Sequence, residues 1–244
     1  MPRRNTSLIG GLLGVWLATW DPSVLAAPVT GNVVLLGPDG GALKKRDYSG
    51  VVVWLEPVRS GPRSSPAQPK PVTMDQRNKT FVPHVLAIEV GTPVDFPNDD
   101  PVVHNVFSNH DGQVFDVQEY APQSSRRVVF RRPGMVHVFC NIHETMSAII
   151  AVLPTPYFAV TNTAGRFEIQ APAGEYTLRL WHERSQPEAI AKAVRRVTVT
   201  DPNIALLETE LAVSDQPVTP HMNKYGRDYP ARPEDRVFYP GARR

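Results

Sequence analysis

Proline restricts this chain more than any other residue. It fills 25 of 244 positions, about twice its usual share of roughly 5%. Proline breaks helix interiors and central strands, which argues against a helix bundle or a doubly wound α/β fold. Hydrophobic residues at 41% and charged residues at 20% argue equally against general disorder. A count of 26 Lys+Arg against 24 Asp+Glu gives a net charge of +2, too small for a nucleic-acid footprint. The length allows one large or two ordinary domains.

The first residues read as an address. Arg3 and Arg4 precede a 13-residue apolar run, Leu8 to Trp20, and small residues follow at Ala26 and Ala27 before Pro28. That pattern predicts a secretory signal peptide over 1–27, cleaved near Ala26/Ala27. The run falls short of the roughly 20 residues of a spanning helix, and an uncleaved N-terminal anchor is the alternative. The expected mature protein is soluble and either periplasmic or secreted. Export sharpens the meaning of Cys140, the one cysteine. It has no intramolecular disulfide partner, and it cannot build a zinc site of several thiolates or an iron–sulfur cluster. In an oxidising compartment such a thiol is expected to be either buried and inert or bound.

Almost every periodic stretch reads as strand. Gly31 to Leu36 and Val51 to Pro57 come first. A Pro-rich linker follows, with five prolines among the fifteen residues from Pro57 to Pro71. Strand-like segments then run through Phe81–Asn98, Val102–Ser108, Arg126–Phe130, Met135–Cys140 and Ser147–Pro154. A second group begins at Tyr157 and continues through turns at Thr163–Gly165 and Pro172–Gly174. Short strands with turn signals every 8–12 residues predict an all-β chain of sandwiches. Only Pro187–Val194 has helical composition. The expected division is first strands of an outer sandwich at 28–57, linker at 58–72, a middle domain at 73–154, the remaining outer strands at 155–213, and an extended or disordered tail at 214–244.

The chemistry concentrates in Cys140-Asn141-Ile142-His143-Glu144-Thr145-Met146, a loop tip between two strand-like stretches. Thiol, imidazole and thioether lie within seven residues, and His104 is available 36 positions upstream. Two imidazoles, a thiolate and a thioether fit a trigonal His₂Cys copper site with a long axial Met. Zinc fits less well, because a thioether is a poor zinc ligand. Cys140 as a buried small hydrophobe is the plain alternative, and it leaves the neighbouring His and Met unexplained. A Cys–His nucleophile pair is another, in which Met146 has no purpose.

VVHNVFS followed by FCNIHETM resembles the ligand segments of the cupredoxins, the blue copper proteins that include plastocyanin, azurin and amicyanin. The Cys-x₂-His-x₂-Met spacing is similar to the short amicyanin ligand loop, and Phe81–Asp100 resembles the early strands of that family. The likeness covers about Met74 to Pro154. It implies a Greek-key β-sandwich holding one type 1 copper, with His104, Cys140 and His143 as ligands and Met146 as the axial sulfur. It further implies that Asn105 ties the two ligand loops together by hydrogen bonds. The wider chain resembles exported proteins labelled methylamine-utilisation proteins, and its flanking strands look like a carboxypeptidase-regulatory-like sandwich of the immunoglobulin or transthyretin kind. The copper sandwich is then either inserted in that second sandwich or placed in tandem with it.

With every ligand position filled by protein, the resemblance implies a one-electron carrier rather than a copper oxidase. The resemblance further implies that electrons exchange through the edge of His143 with a partner such as a c-type cytochrome or an exported dehydrogenase. A periplasmic copper-binding or copper-delivery protein is a second reading, and a structural module with an incidental copper site a third. Glu144 departs from the family pattern. It is read as a solvated charge, the sharper option being a carboxylate that competes with Met146. Elsewhere, alternation assigns His84 to a hydrogen-bonded core position. His137 and Phe139 fall on the strand face opposite Cys140. His110 and His221 are read as solvated, and Trp54 and Trp181 as core of the second sandwich.

Overall fold

A computed structural model describes residues 27–43, 45–59, 69–109, 112–200, 204–205, 208–215 and 221–229. The expected signal peptide up to residue 26, His110 and the centre of the Pro-rich linker lie outside the described residues. Among the described residues, no helix is long and apolar enough to cross a membrane.

The described residues are all-β apart from one short helix. Strands β1 (Ala27–Leu36) and β2 (Val52–Pro57) come first. The middle segment supplies β3 (Val72–Thr73), β4 (Asp75–Arg77), β5 (Thr80–Val82), β6 (Val85–Glu89), β7 (Pro93–Pro97) and β8 (His104–Ser108). It continues through β9 (Phe115–Tyr120), β10 (Ser125–Val129), β11 (Gly134–Phe139) and β12 (Ser147–Leu153). Then follow β13 (Phe158–Val160), β14 (Arg166–Ala171), β15 (Gly174–Trp181), α1 (Pro187–Ala193), β16 (Arg195–Val199), β17 (Ile204–Ala205) and β18 (Thr209–Ala212).

Pairing shows how the segments are threaded. β1 pairs with β14, β17 and β18, while β2 lies between β13 and β15. Strands from before and after the middle segment therefore share the same two sheets, which is insertion and not tandem order. The middle segment forms its own five-stranded sheet, β6-β12-β11-β8-β9, faced by β10-β7-β3. Between β13 and β14 the turn needs Gly165: its φ is +78°, and an added Cβ would sit 2.0 Å from the carbonyl oxygen of Val33.

Three apolar layers result, and β2 takes part in two of them. Val51, Val53 and Leu55 point into the outer sandwich core with Val33, Ile169 and Leu178. Val52 and Trp54 point the other way, onto Ala151 and Leu153 of β12, with Trp181 packed beside them. Trp54 and Trp181 thus belong to the contact between the two sandwiches rather than to the core of the outer one. A strand covered on both faces reads as a continuous apolar run, as β2 does.

His84 is also placed differently from expectation. It keeps hydrogen-bond partners, with Nδ1 3.1 Å from the Ser147 carbonyl and Nε2 2.9 Å from Glu183. Its side chain is nonetheless 47% exposed. Pro83 interrupts the strand between β5 and β6, so the alternation that pointed His84 inward stops there.

Candidate metal centre

The site is built where β8 and β11 run side by side. Phe107 and Phe139 are register partners, which brings His104, at the start of β8, near the residue that follows β11. Alternation along β11 turns Val136 and Val138 into the core, and Cys140 continues that face. Phe139 and His137 lie on the other face as expected, their rings 6.3 Å apart. The loop after Cys140 closes on itself: the Cys140 amide donates to the Met146 carbonyl at 3.0 Å, and the Met146 amide to the His143 carbonyl at 3.1 Å. That closure delivers the chain straight into β12.

Three side chains converge. Sγ of Cys140 lies 3.7 Å from Nδ1 of His104 and 3.7 Å from Nδ1 of His143. The imidazole rings stand 4.9 Å apart at 60°. All three residues are buried, and among the described residues this is the one cluster of His, Cys, Asp or Glu whose ligand atoms so converge. With metal–sulfur and metal–nitrogen bonds of about 2.3 and 2.05 Å, trigonal ligation puts sulfur and nitrogen about 3.8 Å apart and tetrahedral ligation about 3.6 Å. The observed spacing falls between these. Met146 is fully buried and belongs to the same apolar cluster as Cys140. Glu144 is exposed and is not part of the converging group.

The surroundings prepare the donors. Nε2 of His104 lies 2.7 Å from Asp100, which holds the ring proton on that nitrogen and leaves Nδ1 bare toward the sulfur. Burial pushes His104 below the ordinary imidazole range, and the bond to Asp100 pulls it partly back. Burial also raises the Cys140 thiol, while the amides of Asn105, Ile142 and His143 act in the opposite direction. A coordinating cation reverses that balance outright. Asn105 joins the two ligand segments: its Oδ1 accepts the Asn141 amide at 3.3 Å and its Nδ2 donates to Asp116 at 2.8 Å.

Residues 221–229, read from the sequence as loose tail, fold back over the ligand loop. The Tyr229 hydroxyl donates to the Cys140 carbonyl at 2.6 Å. The Lys224 amide donates to Asn141 Oδ1 at 2.9 Å, and Nζ reaches Asp116 at the same distance. The ring of His221 lies 4.3 Å from that of Phe139. His221 is therefore packed rather than solvated, and burial lowers its basicity. Asp100, Asp116, Lys224 and Tyr229 were not singled out by sequence. Asp100 stands four positions before His104, but nothing local separates it from Asp99.

No protein-family model matches the chain, and no curated protein matches it. Several solved structures are similar to part of this chain. A purple cupredoxin from Nitrosopumilus maritimus is 26% identical over 34% of this chain and 99% of that one, with a TM-score of 0.32. Amicyanin from Paracoccus versutus is 19% identical over 37% of this chain and 86% of that one, with a TM-score of 0.32. A copper-containing nitrite reductase from Thermus scotoductus is 28% identical over 40% of this chain but 25% of its own, with a TM-score of 0.33. The chain thus spans a quarter of that enzyme. At these TM-scores none of the three carries a residue role over to this chain.

Proposed function

We propose that this chain is an exported one-electron carrier that holds a single type 1 copper ion through His104, Cys140 and His143, with Met146 as the weak axial sulfur. The observation that carries the reading is the buried thiol set 3.7 Å from two imidazole nitrogens. A soft thiolate, two imidazoles and a thioether suit copper better than zinc. Copper, when bound there, supplies a Cu(I)/Cu(II) couple.

The chain's own residues do the rest. Asp100 fixes the tautomer of His104. The closed loop from Cys140 to Met146 and the Asn105 tie keep the donors in place, so little needs to move when an electron passes. The apolar walls around Cys140 keep water from the sulfur, which together with Met146 sets the potential. The exposed position of Glu144 favours an axial thioether over a carboxylate. A c-type cytochrome or an exported dehydrogenase is the proposed class of partner, met at a small, transient interface.

Visible and electron-spin spectra of the Cu(II)-loaded protein, for wild type and Cys140→Ser, test the reading. A strong thiolate-to-copper band that disappears in Cys140→Ser supports it. A weak band unaffected by the substitution eliminates it, and readily extracted Cu(I) without such a band points to copper delivery instead.

A further inference from the structure

The segment from His221 to Tyr229 makes more contacts with the ligand loop than an incidental tail requires. Its two ends and its middle each touch a different part of the site. Tyr229 donates to the backbone of Cys140 itself. Lys224 binds both Asn141, the next residue in the loop, and Asp116, which also holds Asn105. His221 packs on Phe139, the residue before Cys140, and edge-on against Phe107 of β8. Its Nδ1 lies 2.9 Å from the Met222 carbonyl and 3.4 Å from the Tyr229 hydroxyl, so the two ends of the segment also meet each other.

Cost points the same way. Holding nine residues against a surface costs backbone entropy of about 1–2 kcal/mol for each residue fixed. The contacts that offset it converge on residues 139–141 and on the Asn105–Asp116 pair. Motion of this segment and opening of the ligand loop are thereby coupled.

We propose that residues 221–229 form a strap that shuts the ligand loop, with Tyr229, Lys224 and His221 as positioning residues that govern access to Cys140 and to a metal held there. The proposal takes from the preceding section only the location of the metal, and its first test needs none. In the metal-free protein, modification of Cys140 by an aromatic disulfide reagent reports how often the loop opens. Tyr229→Phe loses one hydrogen bond and is expected to react roughly fivefold faster. A chain ended after residue 220 is expected to react about a hundredfold faster. Met222→Ala, altering an exposed side chain on the same strap, is expected to react at the wild-type rate.

In the copper-loaded protein, chelator extraction is expected to follow the same order. Tyr229→Phe is also expected to shift the thiolate absorption band, a change that a distant packing role does not produce. If the shortened chain fails to fold, the full-length variants Lys224→Ala and Tyr229→Phe decide the matter. Equal thiol rates in these variants and wild type would overturn the strap, as would acceleration by Met222→Ala to the same extent. Absence of a thiolate–copper band with altered thiol rates would instead remove the electron-carrier reading and leave the strap standing.

Discussion

The carboxylate of Asp100 stands 2.7 Å from Nε2 of His104, with both residues buried. The same carboxylate accepts the amides of Asn78 and Lys79 at 2.6 and 2.8 Å. It therefore anchors the turn after β4 while orienting the imidazole. Asp100→Ala leaves those donors without their acceptor, at a cost of about 1–3 kcal/mol in stability. It also frees the ring to rotate or change tautomer, and metal affinity is expected to fall by roughly 10–100-fold. Competition against a chelator of known strength measures the second effect, and urea unfolding of the metal-free protein the first.

Asn105 bridges two segments far apart in sequence through Asn141 and Asp116. Asn105→Ala is expected to cost about 1 kcal/mol, because the half-buried Asn141 amide loses its acceptor and Asp116 loses one of its donors. The loop amide of Asn141 should then exchange its hydrogen faster than the amides of β11. An unchanged exchange rate would mean that the 3.3 Å contact contributes little.

Trp54 joins the two sandwiches. Its residual exposure is 9%, so Trp54→Ala removes a large ring from a nearly closed site. A loss of about 3–5 kcal/mol is expected, read as a lower urea midpoint. A loss below about 1 kcal/mol would show that the contact between sandwiches contributes little to stability.

His182 gives a pH signature. It is 6% exposed, and burial lowers its pKa to about 4. The unfolded chain, with an ordinary imidazole near 6.5, binds the proton first as pH falls. Stability attributable to this residue is thus intact above about pH 6.5 and is lost as pH falls toward 4. Neighbouring His84 runs the other way: its bond to Glu183 raises its pKa, so its contribution is present below the unfolded value and fades as pH rises through the folded one. Between pH 7 and pH 4.5 the wild type is expected to lose about 2 kcal/mol more than His182→Gln. Unfolding midpoints at the two pH values check this, and parallel losses would refute it.

The site was legible in sequence where it is local. Cys140, His143 and Met146 lie within one loop, and the two-residue alternation of β11 faces Cys140 inward. His104 needed a second strand, and only the family resemblance of Val102–Ser108 singled it out, since nothing local marks its imidazole as a ligand. Legibility ended where a distant element chooses the partner. The run Val51–Leu55 is apolar on both faces, yet nothing in it says that Trp54 turns toward β12 and Leu55 into the outer sandwich core. Pro83 broke the alternation that misplaced His84. Tyr229 and Lys224 sit in polar, proline-punctuated sequence whose fit to the ligand loop depends on a surface formed by residues about a hundred positions earlier.

The threading of β2 and β13 bears on how this architecture divides. The chain leaves the outer sandwich after β2 and re-enters at β13, its antiparallel neighbour, with the Leu55 amide donating to the Tyr157 carbonyl at 2.9 Å. The middle segment's entry and exit thus share one doorway, and a tight hairpin there would let the host sheets close without the guest. Such a trimmed host would bare Val52, Trp54 and Trp181 to water, an oily strip on a flat sheet that invites self-association. The guest is in this sense also the host's solubilising coat.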